Sequence, residues 1–199
     1  YKKGDDIVDY IQTKIYRNMS PETEYRIGDA VSETMNNVGR HAYPDLQTSE
    51  RHWWLLAEVI GNQLYLVIYD NGIGIPKTVV EKSWFFSSLE LTYPDLYKEL
   101  KEKIGIISEN VKLYSLNQLK DADLISMSMK GDVTGTKQMK HGQGSKSIKA
   151  LVNDTKDGKL WVYSNEGLYK IVAEKEEPEL EKLPVTINGT LIQWNIEIK

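Results

Sequence analysis

Cysteine is absent from the 199 residues, so disulfides and cysteine-ligated zinc are excluded. That absence suits a reducing compartment, and a cytoplasmic setting is the expectation. No basic excess exists: 25 Lys and Arg stand against 29 Asp and Glu, a formal net charge of −4. A protein whose main work is gripping nucleic acid phosphates would carry the opposite balance, so nucleic acid is not indicated, although a local basic patch stays open. Nowhere is there an apolar run long enough to cross a bilayer, and no membrane association is expected. The opening Tyr1-Lys2-Lys3-Gly4-Asp5-Asp6 leads into no apolar stretch of the secretory-leader kind. An initiating Met is lacking too, and the chain is expected to be a piece of a longer protein. Repeats, low-complexity tracts and an interdomain linker are all missing, which leaves one domain over 1–199 as the expectation.

What is present has the composition of an ordinary globular domain, 40% hydrophobic and 27% charged. Ile7, Tyr10, Ile11 and Ile15 fall at helical spacing within Asp5 to Met19. Ser20-Pro21 then supplies an N-cap and a proline at the first helical position. This second helix is predicted to run to His41 or Ala42, burying Ile27, Val31, Thr34, Met35 and Val38, with Pro44 stopping it. Two strand-like runs, Trp53 to Ile60 and Leu64 to Tyr69, are joined by a hairpin turn at Gly61-Asn62. Helical stretches follow at Tyr97 to Leu119 and Asp121 to Met129, then a Gly/Thr-rich segment, Gly131 to Thr136, and a helix near Ser145 to Val152. The end reads as strand: Leu160 to Tyr163, Leu168 to Ala173 and Thr190 to Ile198, with turns at Ser164 to Gly167 and at Asn188-Gly189. The fold class this order predicts is α+β, two layers, with helices on one face of a mixed, mostly antiparallel sheet. The Trp residues are expected to pack the core and the segment after Pro76.

Three clusters carry chemistry. Glu33, Asn37 and His41 are spaced by four along one side of the second helix. An Asn oxygen suits Mg²⁺, which demands hard oxygen donors and keeps several waters. Glu33 is placed to orient or deprotonate a water, and His41 to meet phosphate oxygens. Taken alone, the same line is what a solvated helix face looks like. The second cluster is Asp70-Asn71-Gly72-Ile73-Gly74-Ile75-Pro76, straight after a strand. Two glycines two apart permit positive φ and a close ligand approach, and Asp70 can accept from an exocyclic amino group. The third is His141-Gly142-Gln143-Gly144-Ser145-Lys146-Ser147, opening a helix whose N–H groups form an anion site. It meets neither the Walker spacing nor the dinucleotide-binding fingerprint.

In order and separation these clusters resemble the GHKL superfamily of ATP-binding domains, which includes gyrase B, heat-shock chaperone ATPases, histidine kinases and MutL. Glu33-x-x-x-Asn37-x-x-x-His41-Ala42 looks like the N box. Asp70-Asn71-Gly72-Ile73-Gly74-Ile75-Pro76 looks like the first glycine box, and His141-Gly142-Gln143-Gly144-x-x-Ser147 like the second in its gyrase-like form. Gly189-Thr190-Leu191-Ile192 resembles the closing Gly-Thr before the last strand. The match spans about residues 20–199.

The resemblance implies a Bergerat α/β sandwich binding ATP or ADP with Mg²⁺. Glu33 would be the catalytic, water-activating acid and Asn37 the Mg²⁺ ligand, with His41 near the phosphates. Asp70 would recognise adenine with help from Thr190, while Gly72 and Gly74 would shape the nucleotide floor. Gly142 and Gly144 would give amides to the phosphates, with Lys146 beside them. The stretch over about 77–141 would be a long lid, and the second box lacks the paired leucines usual in histidine kinases. Nucleotide-driven lid closure controlling a partner protein or a linked upstream domain, with slow hydrolysis, is the expected function. A protein kinase catalytic domain acting on a partner and a non-catalytic nucleotide sensor are the alternatives.

Overall fold

A computed structural model describes residues 2–104, 119–130, 143–153, 155, 157–173 and 175–198. Its organising element is β2 (Gln63–Asp70), in which Leu64, Leu66, Ile68 and Asp70 alternate inward. Strand side chains repeat every second residue, so Asp70 is simply the last of an otherwise aliphatic buried row. β1 (Trp53–Ile60) pairs with it antiparallel, from Trp53 opposite Asp70 to Ile60 opposite Gln63. The expected hairpin turn lies between them, with Gly61 at φ +63°.

The other two strands are longer than the sequence suggests. β3 (Lys159–Val172) and β4 (Glu179–Glu197) each run through a segment expected to be a turn. Ser164 pairs with Thr190 but Asn165 pairs with Ile187, so Asn188 and Gly189 bulge out of β4, and a further shift follows before Gly167 meets Lys182. Bulges add unpaired residues to one strand and sharpen its twist. The sheet order is β1-β2-β4-β3, and every ladder among the described residues is antiparallel. The parallel pairing that a mixed sheet would need is therefore not found there.

Helices cover one face. α1 (Lys2–Tyr10) widens into a π-type turn over Ile11–Ile15, and α2 (Pro21–Asn37) begins with Ser20 Oγ accepting from the Thr23 N–H at 3.2 Å. The expected α-helix to Ala42 stops at Asn37 and continues as a π-type turn, Val38–Ala42. Its terminal carbonyl is taken from outside, since the Ile73 N–H donates to Ala42 O at 2.9 Å. Such widened turns rotate side chains out of the ordinary helical phase. Then come α3 (Ile75–Val79), α4 (Phe85–Thr92), α5 (Pro94–Ile104), α6 (Asp121–Met129) and α7 (Gln143–Asn153). α4 was not expected, and the predicted extension of α5 to Leu119 and the Gly131 to Thr136 segment fall outside the described residues.

Two large apolar clusters result, beside a minor one of Val38, Ala42 and Tyr43 with Trp53 packed against it. The larger joins Ile27, Ala30 and Val31 of α2 to the inward rows of β2, β3 and β4 and to Ile148, Leu151 and Val152 of α7. Trp194 is wholly buried in it, and its indole N–H donates to Ile148 O at 2.9 Å. The smaller is built by Val79, Val80, Phe85, Leu89, Leu100, Leu119, Leu124 and Met127. The opposite face of the sheet has no helix against it among the described residues, and there Trp54, Leu56 and Ile60 are exposed. Trp54 thus departs from the core role expected of the tryptophans; it stacks between His52 and Tyr69 instead. Among the described residues no helix is long and apolar enough to cross a membrane.

Candidate functional site

Between the two clusters lies a cavity of about 430 Å³. It is within the size range of small-molecule sites, which are mostly apolar with a few converging polar groups. Glu33, Asn37 and His41 of α2 and its terminal turn line it, as do Asp70, Gly74, Gly144 and Thr190. These seven come from four separate stretches of sequence. Ile68, Ile75, Val79, Met127, Met129, Ile148 and Ile192 form the apolar part of the wall together with Val38, Ala42 and Trp84.

Asp70 sits at the end of its aliphatic row and is 5% exposed. Its Oδ1 accepts the Gly72 N–H at 2.9 Å. Burial pushes its pKa up from 3.8 to about 6, while hydrogen bonds with the backbone of Gly72 and Thr190 pull the other way. A carboxylate so desolvated is a poor place for charge and a good acceptor for a neutral N–H donor.

The turn after Asp70 is held by groups the sequence reading did not assign. Ser164 Oγ, wholly buried on β3, accepts the Ile75 N–H at 2.9 Å, donates to Gly189 O at 2.9 Å and lies 3.1 Å from Thr190 Oγ1. Gly74 has φ +87°, and a Cβ there would overlap the Asn165 side chain. Gly189, at φ +80°, runs so close to β2 that a Cβ would overlap the Asp70 carbonyl. Tyr43 completes the frame: its hydroxyl donates to His52 O and accepts the Asn71 N–H at 3.0 Å.

Gly72 does not line the cavity. Its missing side chain lets the turn press on Ala42, where a Cβ would overlap the carbonyl oxygen. Gly144 does face the cavity, and its α-carbon abuts Glu33: a Cβ would lie 2.5 Å from Oε1. The Glu33 carboxylate therefore rests against the first turn of α7, where the helix dipole favours negative charge. Lys146, in that same turn, is exposed and outside the cavity wall. Gly142 lies outside the described residues.

At the mouth a pair appears that the motif reading left out. Lys82, shortly after α3, brings Nζ to 3.0 Å from His41 Nδ1 and 3.3 Å from Nε2. Burial lowers the His41 pKa, and the nearby Lys82 and Arg40 charges lower it further. Burial lowers that of Lys82 as well. Lys82 fell in the stretch read as a lid without assigned contacts, and only its place within the apolar run Val79-Val80 to Trp84-Phe85 marked it. Met127 and Met129 have no assigned role in the motifs either, although six of the nine residues of α6 are buried, as in a helix covered on several sides.

The arrangement thus grades from a buried acceptor in an apolar wall to a polar mouth with an amide, a carboxylate, an imidazole and an ammonium. Among the described residues no group of three His, Cys, Asp or Glu could hold a metal ion. Mg²⁺ usually takes only one or two protein ligands plus phosphate oxygens, so the Asn37 amide suits a metal that arrives with a phosphate ligand. Comparison with known proteins found no matching family model and no matching curated protein.

Proposed function

We propose that the chain is a Mg²⁺-dependent ATP-binding domain of the histidine kinase-like ATPase kind, with a Bergerat architecture. The observation that carries this reading is the convergence of Glu33, Asn37, His41, Asp70, Gly74, Gly144 and Thr190 on one cavity. In it the adenine amino group donates to Asp70, and the apolar wall from Ile68 to Ile192 covers the ring faces. The phosphates lie toward the polar mouth and the start of α7, where the helix dipole favours anions. A Mg²⁺ bound with them supplies charge neutralisation, with Asn37 as its protein oxygen. Glu33, beside Gly144, orients the water for hydrolysis.

Nucleotide contact with both the sheet side and the α3–α6 side provides the means of controlling a partner or linked domain, in a cytoplasmic setting. Calorimetry with Mg-ATP and Mg-ADP tests the reading: micromolar to millimolar binding by the wild type, weakened at least tenfold in Asp70→Asn, is expected. Equal affinity in the two proteins, or none in either, overturns it. Incubation with γ-labelled ATP then separates outcomes, since released phosphate marks an ATPase, labelled protein a kinase, and neither a sensor.

A further inference from the structure

We propose that Lys82, paired with His41, grips the phosphate tail of a nucleoside di- or triphosphate, so that the segment following the first glycine turn reads how many phosphates the ligand carries. The inference rests on the nucleotide reading above and adds a contact from a segment to which no motif gives a role.

Four side chains able to carry positive charge line the cavity, and three of them adjoin one another: Arg40 and His41 from the terminal turn of α2, and Lys82 from beyond α3, with Lys130 after α6 the fourth. Lys82 Nζ lies 3.0 Å from His41 Nδ1 and 3.3 Å from Nε2, and a charged Lys82, which can only donate, makes this contact with a neutral imidazole. Among the described residues no ion pair engages Lys82. Of the two carboxylates lining the same cavity, Asp70 accepts the Gly72 N–H and Glu33 lies beside Gly144, and neither forms an ion pair with Lys82. Half-buried cations placed side by side repel, and the loss of water makes each harder to charge. An anion with several acceptor oxygens reverses both effects, because hydrogen bonds from charged donors to phosphate are among the strongest available. Lys82 and Asp70 line one cavity, and a ligand with a hydrogen-bond donor at one end and phosphate at the other engages both.

Calorimetry with adenosine, AMP and ADP, in the presence of Mg²⁺, reads the inference directly. Wild type is expected to tighten stepwise along that series. Lys82→Met should weaken ADP about tenfold or more and leave adenosine within twofold, while Lys82→Arg keeps most of the ADP affinity. NMR titration of the His41 imidazole gives a second readout that a packing role would not move. Its pKa should rise when ADP binds the wild type, and rise in ligand-free Lys82→Met because the neighbouring charge has gone. ADP bound equally by wild type and Lys82→Met overturns the role of Lys82 and leaves the nucleotide reading intact. Equal weakening of adenosine and ADP also overturns it, since Lys82 would then only shape the pocket. Failure of the wild type to bind any of the three removes both readings.

Discussion

Asp70→Asn is expected to make the ligand-free protein more stable while damaging its site. The folded state holds the Asp70 pKa near 6 against an ordinary 3.8. That rise corresponds to ~3 kcal/mol between the two protonation states. A raised folded pKa contributes stability that is present in full below 3.8 and is lost as pH rises through about 6. At pH 7.5 the wild type therefore carries an ionised group that the unfolded chain would solvate better. Asn removes the charge and keeps an acceptor for the Gly72 N–H, but presents an NH₂ where the second oxygen stood, at a cost of ~1 kcal/mol. The net gain at pH 7.5 is about 1–2 kcal/mol, or roughly 2–8 °C in Tm for a domain of this length. Urea denaturation of both proteins at pH 4.5, 6 and 7.5 measures it, and the gap should shrink as pH falls. His41, whose pKa is lowered, contributes in the opposite sense, its stability present above 6.5 and lost as pH falls, but it is common to both proteins and cancels in the difference. A variant less stable than wild type at pH 7.5, or a gap that does not move with pH, refutes the argument that Asp70 is a desolvated carboxylate.

Further outcomes follow from the same geometry. Glu33→Ala should bind Mg-ATP within a few-fold of wild type and lose phosphate release; wild-type turnover would assign the water to another group. Gly144→Ala should impair hydrolysis with little loss of fold, because the added methyl meets the flexible end of Glu33, 2.5 Å from Oε1; in a Glu33→Ala background it should add nothing, a coupling that a double-mutant cycle reads. Gly189→Ala should destabilise by ~2–3 kcal/mol or more, since it combines an unfavourable φ with overlap on the Asp70 backbone. Gly61→Asn, at φ +63° with open space around it, should stay within ~0.5 kcal/mol in the same denaturation assay.

Features written in adjacent residues were legible in the sequence. The Ser20-Pro21 helix start and the Trp53–Ile60 to Gln63–Asp70 hairpin stand where local chemistry put them. Asp70 and its two glycines were also visible, because a left-handed backbone at Gly74, a close approach to Ala42 at Gly72 and a buried acceptor each demand particular residue types. The failures share a cause: one local signal can serve two geometries. Asn165 and Gly189 have positive φ as turn residues do, yet each sits at a bulge within a continuous strand. Whether a left-handed residue ends a strand or bends it depends on what the partner strand does next, which composition does not encode. Ser164 looked like part of a turn for the same reason, and its role emerged only when β3 and β4 were paired. Lys82 meets His41 across 41 positions, so no spacing rule reaches it.

The smaller apolar cluster has a consequence for cooperativity. Ile75 packs against both clusters and α6 divides between them, with Ile125 and Met129 in the larger and Leu124 and Met127 in the smaller, whereas the buried apolar side chains of α4 and α5 lie in the smaller alone. Amide hydrogens of α4 and α5 therefore exchange through a partial opening that leaves the sheet folded, at a lower free energy than those of β2 and β4. The cavity is walled from both sides, by Val79 and Met127 of the smaller cluster and by Ile68 and Ile192 of the larger. Whatever binds there loses part of its wall when the smaller cluster comes apart. By mass action it slows exchange in α4 and α5 as well as in the strands it touches, so two folding units report as one.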